Sequence, residues 1–390
     1  MQNYPLYILI MCIVFLAAWL IQLVLLLTIQ RPVLARCKRK NREGDLTDDA
    51  KPGVSVIVYS QNQGEALLRN LPTLLDNDYP NFEVIVVDDC SCDDTQNVLT
   101  IMEQRNENIF HTNLTDRIKN MSHRKLALLL GVKAAHNDII LTTKAQCVPA
   151  SKSWINKMVR NFSPKTDFVI GPMVFDGRSG LIPRFCQYDL FQRMVNMFGV
   201  TISYCPFAGW SDNMAFRKHL LFDNNNQAFH AHLQLHPGED DLFVNAMAKG
   251  RNVAVECSYD SMVIRQESPL RVAWKKDRQN RAFTSKFSRL TPKVIKCLDY
   301  LTRYACAGVG VALIVWSAIT MSWIPLAVAA SLLLIRVLLV SVFSYQTARN
   351  LRIHRYLFSP IVYDLWIPIV DLWYWLSVST NSRHFYVSRV

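Results

Sequence analysis

The chain has 390 residues, 51% of them hydrophobic, and a formal net charge of +12. That length allows one large domain or two ordinary ones, and the apolar share is high for a purely soluble protein. The ten cysteines are scattered, with Cys90 and Cys92 forming only C-x-C, so neither a disulfide scaffold nor a zinc-finger spacing is present and the thiols read as reduced core residues.

Residues 1–30 carry no charged side chain, and Pro5 to Ile29 is nearly all apolar. The run is longer than the apolar region of a signal peptide, no small-residue cleavage site follows it, and as a helix it is long enough to cross a bilayer. It is expected to be a retained anchor, followed over residues 31–50 by a basic juxtamembrane linker containing Arg31, Arg36, Lys38, Arg39, Lys40 and Arg42.

A soluble region is expected over 51–290. "GVSVIVYS" (Gly53 to Ser60) is a β-branched run of the kind that forms a buried parallel strand. "EALLRNLPTLLDNDYP" has helical apolar spacing, and a second buried strand, Glu83 to Val87, delivers Asp88 and Asp89 at its carboxyl end. A helix, an irregular stretch, the helix "HRKLALLLGVKAAHND" and the strand "IILTT" follow. This alternation predicts a parallel sheet covered on both faces, with ligands outside the carboxyl ends of its strands. Tyr59, Asp88, Asp89 and the stretch Lys144 to Gln146 should converge there.

Two further apolar zones close the chain. Ala305 to Tyr345 is too long for one span and is broken at "SWIP", which predicts a helical hairpin over 304–345. Pro360 to Ser379 holds three tryptophans together with Asp364 and Asp371, which share a face if the helix is continuous. That last helix, 359–380, either spans or lies in the interface. Arg336 sits mid-way along a span and is expected to face the bundle or snorkel. Basic residues flank both ends of the membrane zone, so the positive-inside rule puts the soluble region in the cytoplasm of a multi-pass inner-membrane protein. Much of the positive charge lies beside the membrane, notably in "RVAWKKDRQNRAFTSKFSRLTPK". Attraction to membrane lipids accounts for it without nucleic acid.

The segment "VSVIVYSQNQGEALLRNLPTLLDNDYPNFEVIVVDDCSCDDT" resembles the start of family 2 glycosyltransferases, of the membrane-bound bacterial type. "KLALLLGVKAA", "CVPASKSWINKM" and "HPGEDDLFVNAMAKGRNVAV" resemble later family motifs in the same order. The resemblance implies a GT-A fold, an α/β domain with a mostly parallel, Rossmann-like sheet, and transfer of a sugar from a nucleotide donor. It places Asp89 on the nucleotide base with Tyr59 and Gln61 lining the pocket, Asp88 beside it and Lys125 in the nucleotide site. Asp240 matches the general base that deprotonates the acceptor, so transfer would invert the anomeric carbon. "FAGWSDNMAFRK" resembles the acceptor side, with Trp210 and Glu239, and "WKKDRQNR" the segment closing over the diphosphate, with Trp274, Arg278 and Arg281. No processive Q-x-x-R-W motif is found, which favours adding one sugar at a time. The implied partners are a nucleotide sugar, with a leaning to UDP, and a glycan or lipid-linked acceptor of the cell envelope.

One departure matters. Where the family carries the D-x-D motif that meets the ribose and a bridging divalent metal, this sequence has Lys144-Ala145-Gln146. A lysine and a neutral amide disfavour magnesium or manganese. Three readings stay open: a metal-independent donor site in which Lys144 neutralises the diphosphate with Arg278 or Arg281 helping, a relocated metal site drawing on His230, His232 and His236, or a non-catalytic binding protein.

Overall fold

The computed structural model describes residues 6–47, 51–114, 122–177, 179–222, 233, 235, 237–250, 252–267, 269–354 and 356–385. The chain enters as α1 (Leu6–Leu25), passes through one π-helical turn (Leu26–Gln30), and continues as α2 (Arg31–Lys40). The basic segment is therefore a helical extension of the anchor as far as Lys40. Its Arg36 Nε donates to the Val255 carbonyl at 3.2 Å, tying the anchor to the soluble domain.

The domain then runs β1 (Val54–Ser60), α3 (Gly64–Leu75), β2 (Phe82–Asp88), α4 (Thr95–Arg105), β3 (Ile109–Asn113), α5 (His123–Ala134) and β4 (Ile139–Lys144). It continues with β5 (Cys147–Pro149), α6 (Trp154–Val159), β6 (Phe168–Ile170), β7 (Met173–Phe175), α7 (Leu181–Ser203) and β8 (Met214–Arg217). It ends with α8 (Asp241–Met247), β9 (Val253–Val255), β10 (Val263–Arg265) and α9 (Leu270–Thr284). Seven strands form one sheet in the order β3-β2-β1-β4-β8-β6-β9, and β5-β10-β7 form a smaller one. The β3-β2-β1-β4 half is wholly parallel, while β8 runs antiparallel to both its neighbours. This is the expected mostly parallel α/β architecture. The stretch expected to be irregular after α4 contains β3, whose mixed sequence IFHTN lacks the β-branched run that marks β1 and β2.

Both faces of the sheet are covered, so β1 and β2 are buried along nearly their whole length, as continuous apolar runs require. Helix α5 lies close against them because it carries Gly131. A Cβ there would come within 2.7 Å of Ile57 and 3.0 Å of Val87. Asp93, just ahead of α4, accepts from the Thr95 amide at 3.1 Å and, with its other oxygen, from the Gly64 amide at 3.1 Å. One carboxylate thus ties together the amino ends of α3 and α4, which follow adjacent strands.

Four helices complete the chain: α10 (Leu290–Ile319), α11 (Trp323–Asn350), α12 (Ser359–Tyr363) and α13 (Trp366–Phe385). Among the described residues three helical stretches are long and apolar enough to cross a membrane: Leu6–Lys40, Leu290–Ile319 and Trp323–Asn350. They pack together through Phe15, Ala18, Cys306, Leu313 and Ala329. The hairpin turns just ahead of Trp323, with Met321 at positive φ. Arg336 faces the bundle, donating to Gln22 Oε1 and to Asp364 Oδ2 at 3.0 and 2.9 Å. The expected single face for Asp364 and Asp371 is corrected: the helix breaks between α12 and α13. Asp364 therefore pairs with Arg303 and Arg336, whereas Asp371 pairs with Arg278 and Lys296. Helix α13 packs on α9, with Tyr374 edge-on to Trp274 at 6.0 Å.

Candidate active site

The carboxyl ends of β1, β2 and β4 deliver Tyr59, Asp88, Asp89 and Lys144 to one edge of the sheet, because these strands are parallel and in register. Tyr59 Oη donates to Asp89 Oδ2 at 2.6 Å, and His123 Nδ1 lies 2.8 Å from Asp89 Oδ1. Burial, reinforced by that carboxylate, holds the Tyr59 phenol well above its usual range. Gln61 is exposed at the rim, its side chain 3.5 Å from the Asp89 carbonyl. Asp88 is buried and turned to the Ser91 hydroxyl and amide.

Lys144 does not stand free. Its ammonium binds Asp212 Oδ2 at 3.1 Å, and Arg265 approaches the other oxygen of Asp212 at 3.7 Å. Burial alone would lower the Lys144 pKa, but Asp212 outweighs it and the net shift is upward. Asp212 shows the reverse balance: burial would raise it, yet Lys144 and Arg265 hold it far below the usual carboxylate range. This corner does not fit a divalent metal, because the carboxylate next to Lys144 is already compensated by two cations. Among the described residues no group of three His, Cys, Asp or Glu side chains could hold an ion. His230, His232 and His236 lie outside the described residues. Gln146 sits in the turn after β4, its carbonyl accepting from the Gln266 amide at 2.9 Å.

Lys125 departs from its expected role. It is 1% exposed and donates to the Leu235 carbonyl at 3.0 Å, on the loop leading to the acidic motif, so it cannot reach a nucleotide directly. Burial pushes its pKa down to about 8, partly offset by Glu239 and Asp240. The preceding residue, Arg124, takes the open position. Its guanidinium lies over the Tyr59 ring at 5.6 Å and 3.3 Å from Glu239. Arg124, Lys144, Ser211 and Glu239 line a small pocket with Tyr59 and Thr143, of about 30 Å³.

The acidic motif begins at Gly238, whose φ of +94° favours glycine and where a Cβ would meet Leu242 at 2.6 Å. The turn brings Glu239 under Arg124 and makes Asp240 the cap of α8. Asp240 accepts from the Asp241 amide at 2.7 Å and from the Ser211 amide at 3.0 Å. Burial, then the charges of Asp241 and Glu239, raise its carboxyl to about 7. Glu239 remains below the normal range: burial would raise it, but Arg124 and Lys144 prevail.

Two expectations are corrected. Trp210 is 1% exposed, gives its indole N–H to the Gly171 carbonyl at 2.7 Å and packs against Phe198. No face of its ring is open to a sugar. In α9, Trp274, Arg278 and Arg281 share the face turned to α7, where all three bind Asp189. The opposite face carries Lys276, and Asp277 lies on the flank beside Arg281. Asp277 accepts from Arg265 at 2.9 Å. Lys276 is driven below its usual pKa by the cation Arg124, by burial and by Lys144.

Residues 55–210 match the family model for glycosyl transferase family 2. The match covers under half of the chain, and it is this stretch that is similar to glycosyltransferase family 2. A curated relative, a putative teichuronic acid biosynthesis glycosyltransferase (TuaG) of Bacillus subtilis, is 41% identical over 59 residues, 15% of this chain and 23% of that protein. The match thus spans under a quarter of the relative. Among solved structures, the mannosyltransferase PcManGT of Pyrobaculum calidifontis with GDP-Man and Mn2+ is 18% identical over 90% of this chain and 99% of that one, with a TM-score of 0.47. S. aureus TarS 1–349 is 14% identical over 85% of this chain and 93% of that one, with a TM-score of 0.42. The residues at this site that sequence reasoning missed are Arg124, Ser211, Asp212, Arg265 and Lys276. Arg124 and Lys276 lie beside residues that were singled out, and only helix phase separates the two choices. Asp212 and Arg265 carry no local signal, since they meet through β8 and β10, which belong to different sheets.

Proposed function

We propose that this protein transfers one sugar from a nucleotide-diphosphate donor, UDP-linked by preference, to an acceptor hydroxyl at the cytoplasmic face of the membrane. The observation that carries the reading is the pocket at the sheet edge, where Arg124 lies over the Tyr59 ring and Ser211 and Glu239 lead on to Asp240. Arg124 presents a guanidinium there, and guanidinium donors bond diphosphate oxygens strongly. Tyr59, Gln61 and Asp89 supply the adjoining nucleoside pocket. Asp240 stands on the other side as base. A carboxylate with a pKa near 7 is matched to taking a proton at neutral pH.

In the proposed reaction the acceptor oxygen forms a bond to the anomeric carbon as the bond from that carbon to the diphosphate oxygen breaks. The nucleoside diphosphate leaves with the electron pair, the acceptor proton goes to Asp240, and attack opposite the leaving group inverts the centre. No metal enters these steps, because the Lys144–Asp212–Arg265 arrangement does not fit one.

Titration of the full-length protein with UDP, in detergent and with or without EDTA, tests the donor site. Binding that persists in EDTA supports it, and loss of binding in EDTA refutes the metal-free reading. Turnover with UDP-sugars then separates an enzyme from a non-catalytic nucleotide-binding protein, which binds UDP and releases no product.

A further inference from the structure

Helices α12 and α13 are built inside out. Between Phe358 and Ser379 the only charged side chains are Asp364 and Asp371. Both turn into the protein, Asp364 to Arg303 and Arg336, Asp371 to Arg278 and Lys296. The outward side carries Ile361, Trp366, Ile369, Leu372, Trp373 and Leu376, each between 49% and 69% exposed. An apolar stripe of this length is costly against water and favourable against hydrocarbon.

The course of the chain shows how deep the stripe lies. Arg303, Arg336 and Asp364 form one polar cluster, completed by Gln22 of α1. Beyond it, the stretches Tyr304 to Ile319 and Trp323 to Ile335 hold no charged side chain. At about 1.5 Å per residue each is about 20–24 Å long, most of a hydrocarbon core of about 30 Å. The cluster therefore marks the edge of that core on the domain's side. Helix α13 starts at the cluster and leads away from the core. Tyr304 Oη donates to the Leu365 carbonyl at 2.7 Å. Further along α13, Asp371 meets Lys296, nearer the start of α10, at 2.6 Å. Tyr374 then reaches Trp274 of α9, in the domain.

We propose that α12 and α13 form a membrane-surface element and not a further span. Their outer side sinks into the boundary between headgroups and acyl chains of the leaflet next to the domain, where tryptophan is favoured. The occupant of this face is the bilayer itself, because the stripe begins at the edge of the membrane helices and carries no charge. The inner side holds α9 at the same time, through Asp371 on Arg278 and Tyr374 on Trp274. The domain is thereby seated on the lipid surface, with α9 gripped between α7 and α13, rather than hung from its anchor and hairpin alone. None of this depends on the transfer reaction.

The test uses the full-length protein in phosphatidylcholine nanodiscs doped with a phosphatidylcholine photoprobe. The probe carries a diazirine either near the ester or near the end of an acyl chain. Peptides covering 361–376 should take the shallow probe and lose labelling with the deep one. Peptides from 306–319 and 323–335 should take the deep probe and serve as the internal standard. Deep labelling of 361–376 as strong as theirs would make α13 a span and overturn the proposal. So would no labelling by either probe, which means that protein or water covers the face. Sidedness gives an independent reading, whichever way the protein faces. Cys92 and Cys297 are the exposed native thiols, and replacing both by Ser lets Ser379→Cys be followed at its own peptide. Ser379 is exposed towards the end of α13. An impermeant maleimide should reach it in the same preparation, intact or permeabilised cells, in which it reaches Cys92 of the unaltered protein. Reaction from opposite sides means that the helix crosses, and overturns the proposal as well.

Discussion

Replacing Asp240 by Asn should make the protein more stable and far less active, and the size of both effects follows from its surroundings. Burial and the neighbouring charges of Asp241 and Glu239 lift the carboxyl from 3.8 to about 7. Each tenfold in proton affinity corresponds to about 1.4 kcal/mol, so holding this group ionised at pH 8 costs the folded state about 4 kcal/mol. The sign is that of a raised acid: the penalty is absent below the unfolded pKa and grows as pH rises towards 7. An amide carries no such penalty. It keeps one of the two backbone bonds from Ser211 and Asp241 and loses the other, at about 1 kcal/mol, which leaves a net gain of about 3 kcal/mol at pH 8. Near pH 5 the gain should shrink below about 1 kcal/mol, because the wild-type carboxyl is then mostly protonated. Turnover should fall about a hundred- to ten-thousandfold while UDP binding survives. Melting in detergent by tryptophan fluorescence at pH 5 and pH 8, with a sugar-transfer assay, measures both. A stability change independent of pH, or near-normal turnover, would refute the argument.

Arg124→Ala removes the cation over Tyr59 and should weaken UDP binding by about 1–3 kcal/mol by calorimetry. It should also lower the melting temperature, because buried Glu239 loses its nearest counter-charge. Unaltered affinity would remove Arg124 from the donor site. Lys144→Ala should instead act mainly on stability. It leaves buried Asp212 with Arg265 alone at 3.7 Å, a loss of about 3 kcal/mol at the lower end of the range for breaking a buried pair. An unchanged melting temperature at pH 7 would contradict the pairing. For topology, Cys92 is exposed on the domain surface, so an impermeant thiol reagent should reach it only after intact cells are permeabilised. Labelling from outside would reverse the orientation.

Much of this protein can be read from residue order alone. The anchor, the hairpin and strands β1, β2 and β4 are long homogeneous runs whose burial follows from composition. Tyr59, Asp89 and Lys144 reach one edge because parallel strands end on the same side. The missed strands β3 and β5 to β10 span five residues or fewer, too short for a period to show. Helix phase was legible in principle, yet the arginines of α9 were assigned to phosphate when burial against Asp189 had already taken them. Arginine suits either partner, and only packing tells which lies closer. The state of Lys144 was settled later still. Its partner Asp212 comes from a loop 68 residues away, and no local pattern encodes a contact made by two separate crossings of the sheet. Sequence determined which chemistry could gather at the strand ends. Tertiary structure decided which charges remain open there, because a charge's availability depends on every neighbour within a few ångströms, wherever in the chain that neighbour lies.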